Sequence, residues 1–302
     1  MTVIEIEKLT KYYGKFLALN EVDLEVKPGE VYGFIGPNGA GKTTTLRILL
    51  GLIRKDSGEI RLFDGDPWHD AVRLHRRMAY VPGDVNLWPS LTGGEVIDML
   101  GKLRGDFDPE RRDELLEHFR LDPKKKCGAY STGNRQKVAL ISALVSDVEL
   151  YILDEPTIGL DPLMEVVFRE NVNELKKAGK TVLLSSHILS EVEALCDRLS
   201  IIRDGQIIET GTFEDLRYIT RTSITVDAYK SITGLENLEG IHNLTVNDKH
   251  ARFSVDGEKI DSVLKYLTQF GVKSLLSTPP TLEELFIRYY SEEYTGKKIV
   301  RE

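Results

Sequence analysis

The stretch Gly36-Pro37-Asn38-Gly39-Ala40-Gly41-Lys42-Thr43 decides the fold of this chain. It fits the spacing GxxxxGK[ST], and its surroundings matter as much as its letters. Before it, Glu30 to Ile35 is a short apolar run of strand character. After it, Leu46, Leu49 and Leu50 recur at helical spacing, and Gly51 stands where such a helix would stop. A glycine-rich loop between strand and helix lets backbone N–H groups turn inward around phosphates without side-chain clashes. The helix start adds the positive end of its dipole. Lys42 is placed to reach β- and γ-phosphates and Thr43 to reach magnesium. The expected nucleotide-binding residues here are Gly36, Pro37, Asn38, Gly39, Ala40, Gly41, Lys42, Thr43 and Thr44. The motif points to ATP or a related nucleotide with Mg2+ and leaves the kind of P-loop protein open.

Upstream, Ile4 and Ile6 alternate with Glu5 and Glu7, and Leu19 to Val26 reads as a second strand. Turn signals lie at Tyr13-Gly14-Lys15 and Lys27-Pro28-Gly29. Downstream, about Gly93 to Asp147 is charge-rich and helical. Two further apolar runs, Leu150 to Leu153 and Thr181 to Leu184, each end in polar residues. Buried parallel strands read this way, with functional loops at their carboxyl ends. Strands alternating with helices imply an α/β core. The first of these runs ends in Asp154-Glu155. Asp154 is placed to hold the metal, and Glu155 to orient or deprotonate an attacking water. An acidic pair alone usually marks a solvated turn. It gains weight here from the phosphate cradle.

Taken together, these segments resemble the ATPase subunits of ABC transporters, over roughly residues 1 to 215. Pro156-Thr157-Ile158-Gly159-Leu160-Asp161-Pro162 is similar to the family's D-loop, and Ser185-Ser186-His187 to its switch histidine. The resemblance implies that His187 contacts the γ-phosphate and supports hydrolysis beside Glu155. It also implies that Tyr13 stacks on adenine, whereas a bare reading makes Tyr13 a turn tyrosine. Tyr130-Ser131-Thr132-Gly133-Asn134-Arg135-Gln136-Lys137 lies where the family carries its signature, usually LSGGQ, and only Ser131 and Gly133 match. That position implies that Ser131, Gly133 and Asn134 face the nucleotide of a second ATPase subunit, either self or a relative. The family usually has glutamine in the loop after Met78 to Val81, and here Gly83 stands in its place. Either Asp84 or water is left to fill that role. Trp88, in the following Leu87 to Leu91 stretch, is an anchor for a membrane partner or a core-filling residue.

The chain has 302 residues, 41% hydrophobic and 29% charged, with a formal net charge of -8. That balance supplies ample core and lacks the basic footprint of a nucleic-acid binder. Two distant cysteines, Cys127 and Cys196, argue against zinc or a disulfide framework. The N-terminal residues lack the pattern of a signal peptide, and no run reaches the roughly 18 apolar residues of a membrane span. A cytoplasmic, peripheral position against a separate transmembrane permease follows from the resemblance.

The composition shifts near Arg217 to Thr222. Beyond it come strand patterns at Ile224 to Ala228, Leu244 to Val246, Ala251 to Val255 and Val272 to Leu276, a hairpin signal at Asn247-Asp248, and helical spacing over Ile260, Val263, Leu264 and Leu267. With a short helix in Gly234 to Gly240, the order is βαββαβ, the ferredoxin-like arrangement. Thr281 and Glu284 form a capping box for a last helix. The segment Pro279 to Phe286 is similar to the tails of drug- and antibiotic-export ATPases. The expected architecture is therefore α/β: a P-loop ABC ATPase domain at 1–217 with a helical subdomain at about 93–147, then a small α+β accessory domain at 218–302. The expected function is ATP hydrolysis for an exporter. Two rivals are an ATP-binding regulator without turnover, which Gly83 keeps open, and a soluble ABC ATPase, against which stand the single cassette and the absence of sustained heptads.

Overall fold

The computed structural model describes residues 2–105, 107–218 and 221–278. The capping box at Thr281 and Glu284 and the tail resemblance at Pro279 to Phe286 lie outside the described residues. The chain divides into two compact units, Met1–Thr210 and Gly211–Glu302.

The first unit opens with β1 (Ile4–Tyr13), β2 (Phe16–Val26) and β3 (Val31–Ile35), then α1 (Lys42–Leu49) and β4 (Ser57–Leu62). The strands β2-β1-β4 form an antiparallel sheet of their own. Their alternating apolar residues, among them Ile4, Ile6, Leu24 and Ile60, join Leu46 and Leu49 of α1 in one core. Next come α2 (Ala71–His75) and β5 (Met78–Val81). The helical stretch read from the sequence resolves into α3 (Gly93–Arg104), α4 (Pro109–His118) and α5 (Thr132–Leu144). Thr92 begins α3 with a full capping box to Glu95, and Asp108 caps α4 ahead of Pro109.

The unit closes with β6 (Leu150–Asp154), α6 (Pro162–Lys177), β7 (Thr181–Ser186), α7 (Leu189–Leu195), β8 (Arg198–Arg203) and β9 (Gln206–Thr212). The central sheet has the order β5-β6-β7-β3-β8-β9, with β5, β6, β7, β3 and β8 parallel. Every residue of β3, β6 and β7 is buried, which is why these strands read as continuous apolar runs. Parallel order brings the carboxyl ends of β3, β6 and β7 side by side. The sequence segments that follow those three strands are the cradle, the acidic pair and the histidine loop.

After α8 (Phe213–Tyr218), the second unit runs β10 (Thr222–Ala228), β11 (Ile241–Asn247), β12 (His250–Val255), α9 (Ile260–Thr268) and β13 (Val272–Thr278). Its antiparallel sheet has the order β11-β12-β10-β13. This is the ferredoxin-like strand order. The expected first helix is only a 3-10 turn, Leu235–Asn237. The β11–β12 turn falls at Asp248-Lys249, one residue later than the hairpin signal, with Asp248 at a φ of 53°. Ile224, Val226, Phe253 and Val263 make this unit's own core.

Candidate active site

Gly41 precedes α1 at a φ of 113°, a left-handed conformation open to glycine at no steric cost. That turn swings the chain from β3 into α1 and leaves Asn38 and Gly39 exposed at the rim. Lys42 is buried. Its Nζ donates to the carbonyl of Gly36 at 2.5 Å and that of Pro37 at 3.3 Å, and pairs with Glu155 Oε1 at 3.1 Å. The lysine thus spans its own loop and the end of β6. Thr44, in the same first turn of α1, is half-buried beside Thr43.

Thr43 Oγ1 donates to Asp154 Oδ2 at 3.0 Å. Burial pushes the Asp154 carboxyl up, reinforced by the neighbouring Glu155. Asp154 Oδ1 and the Ser185 hydroxyl are buried without a hydrogen-bond partner. Register sets Ser185 beside Asp154 on the adjacent strand. An orphaned carboxylate oxygen next to a threonine hydroxyl is a hard-oxygen donor set of the kind Mg2+ takes, and a cation there would oppose the effect of burial.

Glu155 has a φ of 48°, which for a residue with a Cβ stores about 1–3 kcal/mol of strain. Its N–H donates to the carbonyl of Ser185 at 2.9 Å, holding the turn. The conformation aims its side chain back toward the end of β7. Glu155 Oε2 lies 2.6 Å from His187 Nδ1 and also receives the His187 N–H at 3.4 Å. Lys42, Glu155 and His187, expected from three separate stretches, meet at one carboxylate. Such a carboxylate can accept a proton from water while the cation and imidazole face the charge that develops.

Tyr13 ends β1, is half-exposed, and has Lys11 Nζ 5.8 Å from its ring centroid. Its open face suits stacking by an adenine. Ser131 caps α5, accepting from the N–H of Asn134 at 3.3 Å. Among the described residues no hydrogen bond joins Ser131, Gly133 or Asn134 to the cradle. The segment instead packs on the loop after β6. Gln136 Nε2 donates to the carbonyl of Pro156 at 2.9 Å, and a Cβ on Gly133 would meet the carbonyl oxygen of Gly159 at 2.3 Å. Tyr130, where the family has leucine, is buried with its hydroxyl on the carbonyl of Asp122 at 2.5 Å.

Gly83 lies against Asp154, and a Cβ there would stand 3.4 Å from the Asp154 carbonyl oxygen, an ordinary contact. A Cβ fits there without a clash. Asp84 is exposed and accepts from Asn86 Nδ2 at 3.1 Å. Trp88 is 52% exposed, which removes the core-filling reading.

Sequence reasoning assigned no role to Ser185, Ser186, Gln136 or Glu191, all of which hold this site. The strand alternation of β7 carried a signal: Ser185 and Ser186 must point to opposite faces, so each needs its own polar surroundings.

Residues 19–158 match the family model described as ABC transporter, and residues 211–290 match the C-terminal domain of DrrA1-3-like ATP-binding proteins. The bacitracin transport ATP-binding protein BcrA of Bacillus licheniformis is 36% identical over 82% of this chain and 82% of its own length. The daunorubicin resistance ATP-binding protein DrrA3 of Streptomyces coeruleorubidus is 31% identical over 98% of each chain. A dimeric ATP-binding cassette, solved in a post-hydrolysis state with ADP and Pi, superposes with a TM-score of 0.62 at 27% identity, covering 69% of this chain and 98% of that one. The chain belongs to the ABC transporter family, as an ATP-binding and ATP-hydrolysing cassette with a DrrA1-3-like C-terminal domain.

Proposed function

We propose that this chain powers export of an antibiotic-like compound through a separate transmembrane subunit, working at the cytoplasmic face of the membrane as one half of an ATPase dimer. The observation that carries the catalytic part is the convergence of Lys42 and His187 on the buried Glu155 carboxylate. Glu155 takes the proton of the attacking water. Lys42 and His187 face the γ-phosphate, and Ser131 offers its helix start to the nucleotide of the opposite subunit. Closure on ATP follows because those contacts exist only in the closed pair. Thr43 and Asp154 would hold Mg2+, whose chemistry when bound is neutralisation of phosphate charge.

Phosphate release by the purified chain is the test. It is expected to need Mg2+ and to fall to background when EDTA removes it. Release that persists in EDTA would sink the metal assignment of Thr43 and Asp154. ATP binding without any release, with the transmembrane subunit present, would favour the regulatory reading that Gly83 supports.

The export reading rests on the relatives named above and on a surface suited to a membrane partner. No helix among the described residues is long and apolar enough to cross a membrane. A groove of about 470 Å³ runs between α2, β5 and α3, with Leu52, Val72 and Leu103 at 57%, 78% and 75% exposure along it. Apolar exposure concentrated in one place marks an interaction site. Val72→Asp with Leu103→Asp is expected to weaken association with the transmembrane subunit on the order of tenfold, equivalent to ~1.4 kcal/mol. Phosphate release by the isolated chain should not change. Unchanged association in co-purification would count against the groove.

A further inference from the structure

The loop that carries His187 is fastened by a group the proposed reaction does not use. Glu191, in the first turn of α7, is a buried carboxylate. Its Oε2 accepts from Ser186 Oγ at 2.8 Å, and the same hydroxyl accepts from the Ile188 N–H at 3.0 Å. Ser186 and Ile188 flank His187 on both sides. One carboxylate therefore pins, through a single hydroxyl, the backbone immediately before and after the histidine. His187 has its other hold at Glu155 Oε2.

Glu191 also reaches the opposite loop. Thr157, two residues past Glu155 and itself buried, faces the same carboxyl with its hydroxyl. Glu191 Oε1 has no hydrogen-bond partner. Leaving a buried acceptor unsatisfied is costly, and an apolar side chain would fill this place without that cost. A carboxylate here makes physical sense where it fastens, through Ser186, the polar loop that carries His187. Burial pushes its carboxyl up, opposed by the Ser186 and Thr157 hydroxyls.

We infer that Glu191 is a positioning residue for hydrolysis: by holding Ser186, it fixes the loop that sets His187 against Glu155. It acts through His187 and touches neither nucleotide nor water. This rests on the catalytic reading of His187 and Glu155 given above.

The test is a double-mutant cycle on the full chain, read as single-turnover phosphate release at saturating ATP and Mg2+, with ATP affinity measured in parallel. Glu191→Ala is expected to lower the rate about 100-fold, the scale of a misplaced catalytic group, with ATP affinity unchanged. Glu191→Gln keeps an acceptor for the Ser186 hydroxyl and should restore most of the rate. Ser186→Ala should reproduce the Glu191→Ala loss, and it carries the test if Glu191→Ala does not fold. Adding Glu191→Ala or Ser186→Ala to His187→Ala should cost nothing further, because both act through the same ring. Additive losses, or affinity and rate falling together, would overturn the inference in favour of a general structural role. A slow His187→Ala beside a wild-type Glu191→Ala would reject Glu191 alone. A wild-type rate in His187→Ala would reject the catalytic reading itself, and Glu191's role with it.

Discussion

Glu155→Gln protein is expected to bind ATP and Mg2+, to form a dimer that persists, and to release phosphate about 10² to 10⁴ times more slowly than the unmodified chain. The amide is nearly the same size as the carboxylate, so the turn at φ 48° and the burial of the side chain need not change. Its oxygen can still accept from Lys42, and its NH2 can donate to the His187 ring nitrogen, the two groups that lie 3.1 and 2.6 Å from the carboxylate oxygens. It cannot take a proton from water at neutral pH. Chemistry stops while the contacts that close the dimer stay. Light scattering with and without ATP and Mg2+ reads the dimer, and a single-turnover assay reads the phosphate. Hydrolysis at the unmodified rate would remove Glu155 from its role. A monomer that still binds ATP would mean that the degenerate signature from Tyr130 to Lys137 pairs with a different chain.

Lys42→Ala is expected to lower ATP affinity by about thirtyfold or more, the counterpart of about 2–5 kcal/mol for truncating one member of a buried charge pair. The loss has two origins. The phosphates lose a cation seated at the bottom of their loop, and Glu155 keeps its charge with no ammonium beside it. The second origin acts without nucleotide, so the thermal midpoint of the nucleotide-free chain should fall as well. Titration with a fluorescent ATP analogue, alongside a thermal melt, separates the two. Affinity within a factor of about two of the unmodified chain would show that Lys42 does not reach the phosphates.

The core of this fold was legible because its signals were local. A strand, a glycine loop and a helix lie consecutively from Val31 to Leu49, and strands buried on both faces announce themselves as apolar runs. The ferredoxin-like strand order was legible from alternation, although the Leu235–Asn237 turn is too short to leave a helical period. Other features depend on partners far along the chain. The separate β2-β1-β4 sheet needs Ile4 to meet Leu62. The place of Gly83 beside Asp154 follows from which strands become neighbours, whereas the hold of Glu191 on Ser186 is local, five residues apart, and is set by the turn from β7 into α7. The parallel order of β5, β6 and β7 decides those neighbours, and no window of sequence contains it. Trp88 could not be assigned for the same reason, since exposure is a property of the folded surface.

The packing of Gly133 on Gly159 has a consequence for which substitutions this protein can take. A side chain at 133 would have to displace the Gly159 carbonyl, and Gly159 itself sits at a φ of 75° that few residues adopt. Position 133 is closed by the Gly159 carbonyl, and position 159 by its own backbone conformation. The start of α5 and the loop after β6 therefore meet backbone to backbone, with no side chain between them to take up a change in either.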